Sequence, residues 1–344
     1  MWVVHNNTPL AVDRGFVRDR QGGEVWIAII RGTFDVRQDG ELHVAADQVP
    51  PIRAAEWSGE PGLSSLLYDT DFVLASRGTD VLVHGHACAP GGRPVPSVEV
   101  GLRVGPLSKR LRVNGVRAWM TSYVSSAVVP GPPRPFTKLP ITYENAFGGT
   151  DTSGPKNAPQ CCAHNPVGTG FTHQPKRLIG LAAPHVERLD AAIKAGPHEQ
   201  PSAGLGPVAP AWLPRASWAG TYDAAWAAER APLLPVDFDE RFYRSAPPDQ
   251  QLPSHLPAKQ LIELYNLTPE GYWRVRIPTL AFHMRTIFTD GEARTDAVLH
   301  TVLLEPERRR AQVVWHLSLP CQGREHKLTS AIIDWEGERS CLSP

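Results

Sequence analysis

The sequence predicts a mainly β protein, with antiparallel, sandwich-like lobes around a Pro/Gly-rich central region and a few short helices. Three observations predict it. In VPSVEVGLRVG, Val98, Val100, Leu102 and Val104 fall on one face, and Glu99 and Arg103 on the other. This is the period of two of a half-buried antiparallel strand. Asp39-Gly40 and Asn114-Gly115 stand beside apolar runs, as two-residue hairpin turns do. The 344 residues include 34 prolines and 29 glycines, which favours sharp turns over long helices because proline is excluded from helix interiors.

The elements follow in chain order. VWIAIIRGTFDVR (residues 25–37) is β-branched and aromatic, and ELHV returns after Asp39-Gly40 as the second arm of a hairpin. TDVLVHGHACAP (79–90) reads as one strand, stopped by Pro90-Gly91-Gly92. LRVNGVRAW is expected to turn at Asn114-Gly115. VVPGPPRPFTKLP (128–140) must be extended. Two helices are expected in the middle: VERLDAAIKAG (186–196), stopped by Gly196, and TYDAAWAAER (221–230), with Thr221 as N-cap and Asp223 near the positive end. Pro232 and Pro235 prevent its continuation. The last third returns to strands. LIELYNLTPEGYWRVRIP is a hairpin around Thr268-Pro269-Glu270-Gly271, and FHMRTIF, AVLHTVLLEP and AQVVWHLSLP are three more strands, the last two joined by EPERRR. Residues 1–135 then form an N-terminal β-rich lobe, 136–255 the central region and 256–344 a C-terminal β-rich lobe, within one integrated unit.

Composition excludes some functions. Lys plus Arg equals Asp plus Glu at 35 each, whereas a nucleic-acid binder carries a basic excess or face. The one dense basic run, Arg308-Arg309-Arg310, reads as an exposed hairpin tip. No stretch approaches the roughly 18 apolar residues of a membrane span. MWVVHNNTPL lacks the basic and apolar regions of a secretory signal, so a cytoplasmic protein without nucleic-acid or membrane partners is expected. Cys88, Cys161, Cys162, Cys321 and Cys341 are too sparse and odd in number for a disulfide framework.

Several constellations invite chemistry. His84, His86 and Cys88 stand at i, i+2 and i+4, where one strand face would present two imidazoles and a thiolate to zinc; a polar strand face is the alternative. In CCAH (161–164), His164 beside the cysteines would lower a thiol pKa if protonated; an exposed loop is the alternative. Glu144 and Asp151, or Asp237 and Asp239, would serve a carboxylate-dependent hydrolase if they converged on one cleft. Against this, Asp239 has Arg241 at ion-pairing distance in sequence, and Glu144 can fix its loop by accepting backbone N–H bonds. AFGGTD lacks the spacing and lysine of a nucleotide loop. No cofactor and no metal is expected.

PITYENAFGGTD, followed by HNPVGTGF (164–171), resembles the signature of a bacterial family catalogued as a domain of unknown function, found with type VI secretion genes beside PAAR-repeat spike-tip proteins and effectors. The similarity continues in AGTYDAAWAAERAPLLPVDFDERFYRSAPPDQQ (219–251), and more weakly in NNTP (6–9) and TDVLVHGHA. The matching positions are Pro140, Tyr143, Glu144, Phe147, Gly148, Gly149 and Asp151; Asn165, Pro166, Gly168, Gly170 and Phe171; and Tyr222, Asp223, Trp226, Arg230, Pro235, Asp237, Phe238, Asp239, Arg241 and Phe242. VHGHAC and CCAH lie outside the resemblance in their histidines and cysteines. The resemblance implies a non-enzymatic adaptor or chaperone that stabilises a toxic effector or its PAAR partner and loads it on the spike. It carries no catalytic residue. Its Gly, Asp and aromatic positions suit a rigid, turn-rich surface.

Overall fold

Alternation and apolar runs sort the strands into three principal sheets. The computed structural model describes residues 2–154 and 159–337; Cys341 lies outside them. The largest sheet has six strands. Its path is Ala11–Arg18, Glu24–Val36, Arg310–Pro320, Val298–Glu305 and Asp80–Val83, with Leu42–Val44 paired to Glu24–Val36 off that path. A five-stranded antiparallel sheet runs Val186–Arg188, Leu107–Asn114, Ser97–Val104, Leu261–Tyr265 and Tyr272–Arg276. A four-stranded sheet runs Val3–Asn6, Leu328–Gly337, Leu280–Phe288 and Gly291–Asp296. Most pairings are antiparallel. Val3–Asn6 with Leu328–Gly337 and Asp80–Val83 with Val298–Glu305 are parallel, and each joins segments far apart in the chain.

One core lies against all three sheets. Trp26, Ala28, Ile30 and Phe34 meet Val98, Val100, Leu102 and Val104 in it, together with Phe282, Met284 and Ile333. Trp315 sets its ring 6.3 Å from Phe34 and 4.9 Å from Phe282. The other face of Glu24–Val36 is also covered, as Val25, Ile27 and Ile29 pack with Val314. This double burial explains why the segment reads as a continuous apolar run instead of alternating.

The mainly β architecture, the Asp39-Gly40 hairpin, the Leu261–Tyr265/Tyr272–Arg276 hairpin and the three late strands are all present. Four expectations are corrected. Asn114-Gly115 is not a hairpin turn: Ser97–Val104 and Leu107–Asn114 are joined at Gly105-Pro106, with Val104 opposite Leu107. At Gly115 the chain instead passes so close to Arg134 that an added Cβ would lie 1.7 Å from its carbonyl oxygen. Residues 186–196 are not a helix. Val186–Arg188 is a strand beside Leu111–Val113, and buried Val186 fills the core. TDVLVHGHACAP is two strands, Asp80–Val83 and His86–Cys88, in different sheets. The single α-helix among the described residues is Ala224–Glu229, capped by Asp223 and not Thr221. Between the sheets, the central region follows an irregular path pinned by two-residue strand pairs.

Candidate functional site

The two signature stretches are locked into each other. Tyr143–Asn145 forms a 3-10 turn, and Phe147–Gly148 then pairs in parallel with Thr169–Gly170. The Gly149 N–H donates to the Asn165 carbonyl at 2.8 Å, and the Phe171 N–H to the Gly148 carbonyl at 2.8 Å. Asn165 is 0 % exposed, and its amide donates to the carbonyls of Tyr143 (2.8 Å) and Phe147 (3.0 Å). The crossing is tight enough to require glycine. Gly148 has φ +152°, and a Cβ there would sit 2.1 Å from the Asn165 oxygen. Gly149 has φ +110°, with the Gly168 oxygen 2.6 Å from the same hypothetical atom. Such positions exclude side chains by both backbone conformation and space. Tyr143 is buried against Trp212, its hydroxyl donating to the Gly206 carbonyl at 2.8 Å.

The acids of this stretch fix loops. Glu144 accepts from the Ser65 N–H (2.7 Å), the Ser65 hydroxyl (2.6 Å) and the Ser58 hydroxyl (3.2 Å). Burial pushes its carboxyl up, but hydrogen bonds led by that from the Ser65 hydroxyl outweigh burial and hold it below the ordinary range. Asp151 accepts from the N–H groups of His173 (2.7 Å) and Ser153 (2.8 Å), with the Thr172 hydroxyl at 3.3 Å. The His173 N–H leads the donors that hold it well below the carboxylate range. The two carboxylates thus engage different partners.

The second signature block closes a smaller loop. Asp223 Oδ1 accepts from the Trp226 N–H at 2.8 Å, an N-cap. The Trp226 indole donates to the Leu233 carbonyl, and Arg230 reaches the carbonyls of Leu234 and Arg20. Tyr222 sets its ring 4.7 Å from that of Trp226. Asp237 accepts from the Thr221 N–H and hydroxyl at 2.9 and 2.7 Å, which lower its pKa. Asp239 accepts from the Arg241 side chain and backbone, which lower it likewise. Arg241 in turn lies over the Trp218 ring. Asp223→Ala should cost about 1 kcal/mol, read as a small drop in the midpoint of thermal unfolding.

The other candidates disperse. The strand breaks at His84-Gly85, so i, i+2, i+4 alternation does not hold there. His84 is half-buried beside the Tyr68 ring, and desolvation there pushes its pKa down to about 4. His86 Nδ1 pairs with Glu307 at 2.8 Å. Among the described residues no group of three His, Cys, Asp or Glu side chains could hold a metal ion. At Cys161-Cys162, the Glu199 carboxylate accepts from Cys162 Sγ (3.3 Å) and lies 3.0 Å from His164 Nδ1. Burial first, then Glu199, pushes the Cys162 thiol up to about 11, the reverse of activation.

Sequence reasoning missed what the interlocked stretches support. Phe147, Cys162 and Phe171 build a satellite core with Trp119, Val128, Ala183, Ile193 and Ala195. Trp119–Thr121 and Val128–Pro130 form a ribbon rooted in that core. Its tip carries Tyr123 and Val124, 91 % and 95 % exposed. Beside its root, Trp119 exchanges backbone hydrogen bonds with the 180–181 segment, where Ile179 and Leu181 are also exposed. The sequence signal was available: SYVSSA is a Ser-rich turn between WMT and VVP.

No described helix is long and apolar enough to cross a membrane. Comparison with the curated proteins and with the solved structures found no match. A family model described as an uncharacterized protein conserved in bacteria matches residues 21–316, which include the ribbon and both signature blocks. The chain therefore belongs to that bacterial family, DUF2169.

Proposed function

We propose that this chain is an adaptor or chaperone of type VI secretion, which binds and stabilises an effector, its PAAR-repeat spike-tip protein or both in the cytoplasm for loading. The observation that carries the reading is the Tyr123-Val124 tip, two large side chains held in solvent on a ribbon with a fixed root. Tyrosine at a rigid projection is a common anchor for a partner's pocket. The signature resemblance supports the same reading. So does the use of the signature's polar groups, since the Asn165 amide N–H groups and the carboxylates of Asp151, Asp223 and Asp237 bond the chain's own backbone. Residues used in this way serve a shaped surface.

Co-expression with a PAAR-repeat or effector protein encoded beside the chain, followed by size exclusion, tests the reading. The two should co-elute. Tyr123→Ser with Val124→Ser should abolish co-elution and leave thermal stability unchanged, because neither side chain packs in the core. Separate elution of the wild-type proteins at micromolar concentration would sink the proposal. Retention of the complex by the double variant would place the contact elsewhere.

A further inference from the structure

A cavity of about 280 Å3 lies where the main core meets the smaller core around Tyr143. Residues 65–68, 83–86, 140–143 and 204–206 line it, with the 305–308 turn. Val83, Ile141 and Leu205 come from the main core and Leu66 from the smaller one, so much of the lining is apolar. Tyr68 and His84 form an aromatic wall, with ring centroids 5.3 Å apart and planes at 50°. An apolar cavity of about 150 Å3 takes up benzene, so this one has room for a single ring and its substituents. An aromatic wall favours a flat ring, which can meet it edge-on or offset-stacked.

The charged groups of the lining are committed to each other. Glu305 is buried and accepts from the Tyr68 hydroxyl (3.1 Å), Arg308 (3.1 Å) and Gln312 (3.2 Å). Glu307 pairs with Lys138 and His86. A charged ligand would therefore leave water for a largely apolar lining without a free counter-charge. His84 differs. Among the described residues its ring makes no hydrogen bond or ion pair, and neither ring nitrogen is sealed from solvent. Its Nε2 lies on the side of Gly206, where an added Cβ would stand 3.7 Å away, and Gly206 lines the same cavity. Desolvation keeps the ring neutral at physiological pH, with one nitrogen donating and the other accepting. A hydroxyl does both, so it matches either tautomer.

We infer that this cavity binds a neutral phenol, with its ring against Tyr68 and its hydroxyl on the His84 imidazole. The inference does not depend on the adaptor reading: it concerns the chain alone, and either can fail without the other. Isothermal titration calorimetry at neutral pH tests it with p-cresol, toluene and benzoate. p-Cresol should bind saturably, about tenfold tighter than toluene, which lacks the hydroxyl. Benzoate, being charged, should bind more weakly than p-cresol. His84→Phe keeps a ring without the nitrogens and should bring p-cresol down to the affinity of toluene. Gly206→Ala sets a methyl group beside Nε2 at ordinary contact distance. It should weaken p-cresol several-fold and leave the midpoint of thermal unfolding little changed. In the wild-type chain, the ring nitrogen resonances of His84 should shift with p-cresol and not with toluene. A glycine-flanked tyrosine peptide separates the sources of the phenol. Tighter binding than p-cresol supports a partner's tyrosine as the occupant, and weaker binding supports a free phenol. No saturable binding of p-cresol, equal affinity for toluene or benzoate, or a hydroxyl preference that survives both variants would overturn the inference.

Discussion

Gly148→Ala should lower stability by about 2–6 kcal/mol, combining left-handed backbone strain with overpacking. The residue has φ +152°, and the new methyl carbon would lie 2.1 Å from the Asn165 carbonyl oxygen. Backbone cannot yield as a flexible side chain does. Relief would require the 165–171 segment to move away, and with it the Gly149 N–H bond to Asn165 and the Asn165 amide bonds to Tyr143 and Phe147. Damage should concentrate in the satellite core, because Phe147 and Phe171 pack there with Trp119. Hydrogen exchange should show lost protection across residues 119–130, 147–151 and 160–171, with the three principal sheets less affected. Gly154→Ala is the control: a Cβ there meets nothing within 4 Å, and its stability should match wild type. If Gly148→Ala unfolds at the wild-type midpoint, the crossing is not as tight as the geometry requires. If the adaptor reading holds, Gly148→Ala should also weaken the client complex, because the ribbon tip loses its fixed root.

The parts legible in the sequence are those whose pattern is local. Val98, Val100, Leu102 and Val104 declare a strand because one face is buried and the other solvated. Glu24–Val36 declares one by β-branched content. Asn114-Gly115 misled because a favourable turn dipeptide was placed where two chain segments approach closely, and glycine served space there instead of a hairpin. Residues 186–196 misled because Val186 answers to a strand partner, Val113, more than seventy positions earlier. The site was half legible. Gly148-Gly149 could be read as a bend, but its opposing surface is the backbone of Asn165 and Gly168, a contact no local pattern encodes. Tyr123-Val124 looked like any apolar dipeptide. Its exposure follows from a ribbon that belongs to none of the large sheets.

Acid should unfold this protein earlier than its carboxylates alone would dictate. His300 and His316, on neighbouring strands of the six-stranded sheet, stack with ring centroids 4.2 Å apart and planes 5° from parallel. Both are buried. His300 Nδ1 lies 2.9 Å from the Thr301 hydroxyl, whereas its Nε2 and both His316 nitrogens lack hydrogen bonds of ordinary geometry. Burial pushes His300 down to about 4, with Asp80 and Asp69 opposing and Arg244 and His255 assisting. Burial lowers His316 further, with His300 adding repulsion, the Val73 backbone opposing and His255 adding a smaller repulsion. His84 is lowered to about 4 in the same way, by burial. The folded state holds these rings neutral, and the unfolded chain protonates them near 6.5. Stability from this source is full above pH 6.5, declines as pH falls below it, and is fully lost once pH has passed about 4. Each ring removes about 1.4 kcal/mol per pH unit while only the unfolded form is protonated. Two or three such groups together weigh several kcal/mol against a typical total of about 5–15 kcal/mol. Asp151 and Glu144, whose pKa values are depressed, contribute only at lower pH, as acid reaches the carboxylate range. The midpoint of thermal unfolding should therefore fall steadily as the buffer is taken from neutral towards pH 4, before carboxylates titrate. His300→Phe with His316→Phe keeps two stacked rings without the protonation sites, and should flatten that slope even if it changes stability at neutral pH. A wild-type midpoint that stays level across this window, or a double variant with an unchanged slope, would show that the buried pair does not govern acid stability.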